Sequence, residues 1–197
     1  MPAETLTERL ILTPLDAASP ELVEELFRIQ SDPATWEHLP EGVDVDLAET
    51  QSLVDGYARS WRERGLGWWA VRLRSPLGQL PAGSVIGLGG VAIRQPEVPA
   101  WNLGFRLTPA SWGHGFAAEL GRAALDAAAV AQPGVPVTGR ALTRNPASWR
   151  TLERAGLSLV WEGDAPADYP LTSGVERRVY SDRPLTPELL DRLIALG

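Results

Sequence analysis

Residues 110–120 read ASWGHGFAAEL, with glycines at 113 and 115 directly ahead of a helical run and the strand-like AWNLGFRL (100–107) behind them. Glycine at a helix entrance weakens the helix, so two of them one residue apart need a backbone reason. Strand, bare backbone and helix N-terminus, in that order, suit an anion. The first turn of a helix presents unpaired N–H groups and partial positive charge, and glycine lets a phosphate approach the main chain. A turn that merely needs positive φ is the alternative, and these residues alone leave both open.

Two phosphate loops are tested first. A Walker loop is excluded, because it requires a lysine and every basic residue in the chain is arginine, a usage that genome composition bias accounts for. Gly113-His114-Gly115-Phe116-Ala117-Ala118 fits the dinucleotide pattern G-x-G-x-x-G/A. However, Thr108 to Trp112 separate the strand from the first glycine, and the later QPGVPVTGRAL carries no acidic residue for a ribose. Other chemistries drop out by composition. With no cysteine there is no disulfide, thiolate metal site or cysteine nucleophile, and His38 and His114 lack ligand spacing, so no metal is expected. A net charge of −7 argues against nucleic acid as a direct ligand and accommodates an amine-bearing substrate. No apolar run is long enough to span a membrane and no leader pattern opens the chain, so cytoplasm is the expected compartment.

Hydrophobic periodicity and turn signals predict the order β-α-α-β-β-β-α-β-α-β-β-α, an α+β arrangement in one domain over 1–197. Strands are expected at 7–15, 67–74, 84–94, 100–107, 135–142, 158–163 and 175–181. Helices are expected at 19–33, 46–64, 113–131, 145–157 and 186–196. Ser19, Asp46, Asn145 and Thr186 stand where N-caps belong, and Asp46 with Glu49 resembles a capping box. The short Pro/Gly-rich stretches at 75–84, 95–100 and 133–139 are loops within that domain.

Trp112-Gly113-His114-Gly115-Phe116-Ala117 resembles the Q/R-x-x-G-x-G/A acetyl-CoA loop of the GNAT superfamily of N-acetyltransferases. WGHGFAAEL is similar to the W-G-x-G-[YF]-A-x-E-[AL] form of the RimJ/RimL branch, which acts on protein N-termini. TERLILTPL, Ser31-Asp32-Pro33, GWWAV, SVIGLGGV and the segment from Asn145-Pro146-Ala147-Ser148 to Arg154-Ala155-Gly156-Leu157 resemble further parts of that branch, in order, over roughly 5–182. The resemblance implies a mixed, mostly antiparallel sheet flanked by helices. Its fourth and fifth strands (100–107 and 135–142) splay apart to admit the pantetheine arm. It implies that Gly113, His114, Gly115, Phe116, Ala117 and Ala118 receive the CoA pyrophosphate, with the His114 side chain turned away. Phe105, Arg106 and Leu107 would pair through their backbone with pantetheine, and Asn145 and Ser148 would line the opposite wall.

The usual catalytic groups are absent. Many such enzymes carry a Glu on the fourth strand as base, where this chain has Asn102, and a Tyr in the fourth helix as acid, where it has Leu152. Ser148 is the remaining candidate to hydrogen-bond the departing thiolate, with support of its helix N-terminus as the other role. Asn102 is a candidate to hold a relay water. Glu37, Asp168 and Glu176 are further carboxylates, unranked. Trp68, Trp69 and Trp36 are candidate pocket walls or core residues. An α-amine has a pKa near about 8 and a lysine near about 10.4, so at pH 7 roughly a tenth of the first is neutral against well under a thousandth of the second. That gap is worth about 3 kcal/mol, comparable to a general base. An enzyme without a strong base suits a protein or peptide α-amine best and an amino-sugar second. A CoA-binding module without turnover is the reading from a different class, and the chain is expected to be a monomer or homodimer.

Overall fold

The computed structural model describes residues 3–16, 18–164 and 175–196. The first expected strand, 7–15, holds β2 (Leu10–Pro14), and a two-residue β1 (Thr5–Leu6) that lies before the expected bounds pairs with it antiparallel, Leu6 opposite Ile11. Along β2, Leu10 and Leu12 are buried while Ile11 and Thr13 are half-buried, the period-2 pattern of a strand with one core face.

α1 (Pro20–Gln30) starts where the Ser19 hydroxyl accepts from Leu22 N–H. It stops short of the expected residue 33 because Pro33 disfavours helical backbone at Asp32, whose carboxylate instead caps a 3-10 turn at Pro33–Trp36. α2 (Leu47–Arg64) is capped by Asp46, which accepts from Glu49 N–H at 3.1 Å. Glu49 reaches back to Val45 N–H at 2.7 Å, so the box closes one residue earlier than the standard pattern.

β3 (Trp68–Leu73), β4 (Val85–Ala92) and β5 (Trp101–Leu107) form an antiparallel meander on β2. α3 (Phe116–Ala131) returns the chain to β6 (Val137–Leu142), which lies parallel to β5. α4 (Pro146–Ala155), β7 (Ser158–Asp164), β8 (Glu176–Ser181) and α5 (Pro187–Ala195) complete the order. The eight strands run β1-β2-β3-β4-β5-β6-β8-β7 in one sheet. The family's fourth and fifth strands are therefore β5 and β6.

The strands sort their side chains onto two helical layers. Leu10, Leu12, Trp69, Val71, Trp101 and Leu103 pack with Phe116, Leu120 and Ala124 of α3 and Leu152 of α4. Trp68, Ala70, Leu88 and Ala92 meet Leu22 and Leu26 of α1 and Val54 and Tyr57 of α2. α5 lays Leu193 on Val98, Ala100 and Val179, and the buried Arg177 guanidinium donates to the carbonyls of Ile194 and Leu196 at its C-terminus. Among the described residues, no helix is long and apolar enough to cross a membrane.

Candidate active site

The glycine loop is an unpaired helix entrance. Gly113 and Gly115 both sit at φ 79°, left-handed backbone that excludes them from the helix and moves its start from the expected 113 to Phe116. Gly115 is the N-cap residue and carries no capping side chain. Glu119 N–H, bonded to Gly115 C=O at 3.1 Å, is the first helical donor. The N–H groups from Gly113 to Ala118 have no acceptor among the described residues. Gly113, His114 and Gly115 are exposed, so these donors open outward. Trp112 anchors the loop from behind: its indole N–H donates to Leu107 C=O at 2.8 Å while the ring stays 48% exposed.

A charged strut holds the loop to the first hairpin. Glu119, only 7% exposed, accepts from Thr7 Oγ1 (2.5 Å), Arg9 N–H (2.8 Å) and Arg9 Nε (2.8 Å). Arg9 Nη1 then donates to His114 C=O at 2.8 Å, and the guanidinium lies 4.8 Å from the Phe116 ring centre. Burial pushes the Glu119 carboxyl up, but the hydrogen bonds from Thr7 and Arg9 outweigh it and leave its pKa below the ordinary value. The sequence shows Arg9 and Glu119 in two separate recognisable segments, yet nothing in it shows that they meet.

Beside the loop, the sheet parts. β5 pairs with β6 only at Trp101–Val137 and Asn102–Thr138. Trp101 N–H bonds Pro136 C=O on the β6 side, whereas Thr108 N–H bonds Ile86 C=O on the β4 side. Strand alternation therefore turns the backbone groups of odd residues toward β6 and those of even residues toward β4. The parallel bridge at Asn102–Thr138 engages the Leu103 N–H, and beyond it β6 has diverged, so Leu103 presents its C=O and Phe105 both its N–H and C=O to the gap. Leu107 presents its N–H, its carbonyl being taken by Trp112. Arg106 corrects the expectation of a backbone contact: its main chain lies opposite Leu88 of β4, and what it offers is its side chain.

The even side chains of β5 face the α1–α2 layer. A Cβ on Gly104 would lie 2.5 Å from the Trp68 ring, so Trp68 rests directly on the strand. Tyr57 stacks on Trp68 with ring centres 4.4 Å apart and planes at 8°. Arg106 lies 3.2 Å from the Trp36 ring centre and donates to the carbonyl and hydroxyl of Thr35. Arg144, just before α4, donates to His38 C=O at 3.1 Å, so the segment 35–38 is tied to β5 and to the loop that follows β6. Burial, with Arg106 and Arg144 nearby, lowers the His38 pKa to about 4, and the ring is neutral near pH 7. Burial pushes the Tyr57 phenol up to about 12, against the pull of Arg94 and Arg106, and keeps it protonated. Trp36 and Trp68 thus line this face, while Trp69, 1% exposed, belongs to the core under α3. Asn102 lines a narrow hollow with Arg94, Thr138 and Arg140, and no carboxylate among the described residues shares it.

Across the gap, Asn145 caps α4 by accepting from Ser148 N–H at 3.1 Å, and its amide donates to Ser148 Oγ at 3.2 Å. The serine oxygen is an acceptor in that bond, which leaves its own proton to donate elsewhere. Leu152 is core, 2% exposed, and supplies no acid. Glu37 is exposed on the 35–38 segment, and Glu176 is exposed at the start of β8, opposite Asp164. Neither lines the hollow at Asn102. Asp168 lies outside the described residues.

Comparison with known proteins agrees with this geometry. Residues 9–158 match the acetyltransferase (GNAT) domain family. Among solved structures, an acetyltransferase from Agrobacterium tumefaciens superposes with a TM-score of 0.69 at 23% identity, over 93% of this chain and 96% of that one. A GNAT-family acetyltransferase from Bacillus anthracis gives 0.68 at 18% identity, over 91% and 97%. RimL, a ribosomal L7/L12 α-N-protein acetyltransferase in complex with coenzyme A, gives 0.67 at 18% identity, over 90% and 95%. With parted strands, a glycine loop between β5 and α3, and a family match over most of its length, the chain belongs to the GNAT acetyltransferases.

Proposed function

We propose that the protein transfers the acetyl group of acetyl-CoA to a primary amine by direct attack in a ternary complex, and that its acceptor is a protein or peptide N-terminal α-amine. The observation that carries this reading is the open edge of β5 ending at a loop of unpaired N–H groups. That arrangement suits an extended amide-bearing arm followed by a diphosphate. Bound acetyl-CoA supplies the activated acyl group as a thioester. The N–H groups from Gly113 to Ala118 hold the pyrophosphate, and Leu103, Phe105 and Leu107 pair with the arm. Asn145 orients Ser148, whose hydroxyl proton is directed to the departing sulfur. Asn102 holds a water through which the amine proton leaves. Among the described residues none here is a strong base, so the acceptor must arrive largely neutral, which favours a low-pKa α-amine. The likeness to RimL, though it shows only the fold, is consistent with this choice.

A panel of amines, followed by thiol release from acetyl-CoA at pH 7, tests the reading. Peptide α-amines are expected to exceed lysine side chains in kcat/KM by about two hundredfold, the ratio of their neutral fractions. Comparable rates for the two would contradict the choice of acceptor. A preferred amino-sugar would support the small-amine alternative, and saturable acetyl-CoA binding without release would mark a degenerate CoA-binding module.

A further inference from the structure

We infer that the acceptor carries a carboxylate close to its amine, received by the guanidinium groups of Arg106 and Arg94 on the α1–α2 side of β5. This rests on the amine-transfer reading above and adds the chemical class of the substrate. The protein is acidic, with a net charge of −7, yet the layer over the middle of β5 is cationic. Tyr57 lies in the field of Arg94 and Arg106, and His38 in that of Arg106 and Arg144. Asp44 is the carboxylate that acts on both Arg106 and Tyr57, and it accepts the Thr50 hydroxyl at 2.5 Å. It forms no ion pair with Arg106, and no ion pair among the described residues includes Arg94 or Arg106.

Arg106 is the stronger pointer. Its side chain is clamped between the Trp36 ring and Thr35, so its orientation is set before any ligand arrives. Burial lowers its pKa to about 10, still leaving it charged near pH 7. Nη1 is used by Thr35, whereas Nε and Nη2 have no acceptor among the described residues. Arg106 is half-buried and its open donors are reached from solvent, where a carboxylate matches the forked geometry of the guanidinium. Its position fits the reaction. Arg106 stands two residues beyond Gly104 on the face where Trp68 crosses β5, and Arg94 lines the hollow at Asn102. An anion held there leaves the neighbouring amine over the middle of β5, beside the gap.

The carboxylate has two possible sources: an acidic side chain near a peptide N-terminus, or the α-carboxylate of a free amino acid. Two matched pairs separate them: Ser-Glu-Ala-Gly-amide against Ser-Gln-Ala-Gly-amide, and alanine against alaninamide. At low salt, with kcat/KM divided by the neutral fraction of each amine because a free amino acid's amine is more basic than its amide's, the acid in at least one pair is expected to exceed its neutral partner about tenfold or more. In Arg106→Gln and in Arg94→Gln that advantage should shrink to about twofold or less, with acetyl-CoA affinity unchanged. Arg94 is exposed, so its variant remains informative if the Arg106 variant does not fold. Acetylation without preference for either acid would overturn the inference and leave the transfer reading standing. So would variants that lose acetyl-CoA affinity instead of acceptor discrimination, because the arginines would then serve the CoA phosphates. If no amine is acetylated, the transfer reading fails separately. Calorimetry of the same four compounds on CoA-saturated protein then decides: tighter binding of an acid, abolished in the variants, supports the inference, and equal binding overturns it.

Discussion

Gly115→Val raises the dissociation constant for acetyl-CoA at least tenfold, about 1.4 kcal/mol of binding free energy, in a protein that still folds. Two effects act together. Gly115 sits at φ 79°, where a β-branched residue is strained, so the variant pulls the loop toward another backbone path and misaims the donors that follow. Any side chain it carries also stands on the exposed surface that the diphosphate must approach. The protein matrix offers little resistance, since the nearest group to an added Cβ is the Arg9 guanidinium at 3.7 Å, which is why folding should survive. Gly78→Val is the control. It imposes comparable strain in the 75–84 loop, at φ 55° with no group within 4 Å of an added Cβ, and should leave acetyl-CoA affinity unchanged. Calorimetry on both variants, with thermal unfolding to confirm the fold, makes the comparison. Unchanged affinity in folded Gly115→Val would remove the loop from the binding account.

Ser148→Ala lowers kcat by roughly ten- to a thousandfold, the range of a lost acid–base contribution, with acetyl-CoA affinity nearly unchanged. The proposed proton donation is one of two roles open to this serine. Its N–H is the donor that Asn145 caps, and its Oγ accepts from the Asn145 amide, so part of its role is local support for α4. Alanine keeps the N–H and loses the second bond, a stability change of about 1 kcal/mol at most. The proton of the hydroxyl has no such local duty and is free for the thiolate. Measuring kcat and unfolding on the same variant separates the two: a stability loss with kcat intact would leave Ser148 as helix support alone.

The fold was legible where one segment's residues settle their own geometry. The caps at Ser19, Asp46, Asn145 and Thr186 mark helix starts because each acts within three residues of itself. Boundaries moved where a local rule overrode periodicity, as at Pro33, or where positive φ detached Gly113 to Gly115 from α3. The short β1 at Thr5–Leu6 was not legible, because two residues are too few to carry an alternation pattern of their own. For the site, the loop and α4 could be read from contiguous motifs. The strut from Arg9 to Glu119, the clamp of Arg106 between Thr35 and Trp36, and the Tyr57–Trp68 stack could not. Each joins residues from different elements, and single-sequence patterns carry no information on which elements face one another. The Arg106 reading failed for a related reason. Three successive residues of a strand cannot all turn their backbone to one edge, and assigning the edge requires knowing which neighbour has departed.

The pH dependence of acetyl transfer, followed by thiol release and by mass of the acetylated product, tests the central claim most directly: a neutral amine attacks acetyl-CoA held between β5 and β6 without help from a strong protein base. For a peptide α-amine, kcat/KM should climb with pH toward the acceptor's own pKa, near about 8. For a lysine-like acceptor the climb should move up by about two units. Thiol release should match acetylated amine one for one. A single inflection near about pH 6–7 that stays fixed when the acceptor is changed would contradict the account, because it would reveal a titrating base in the enzyme.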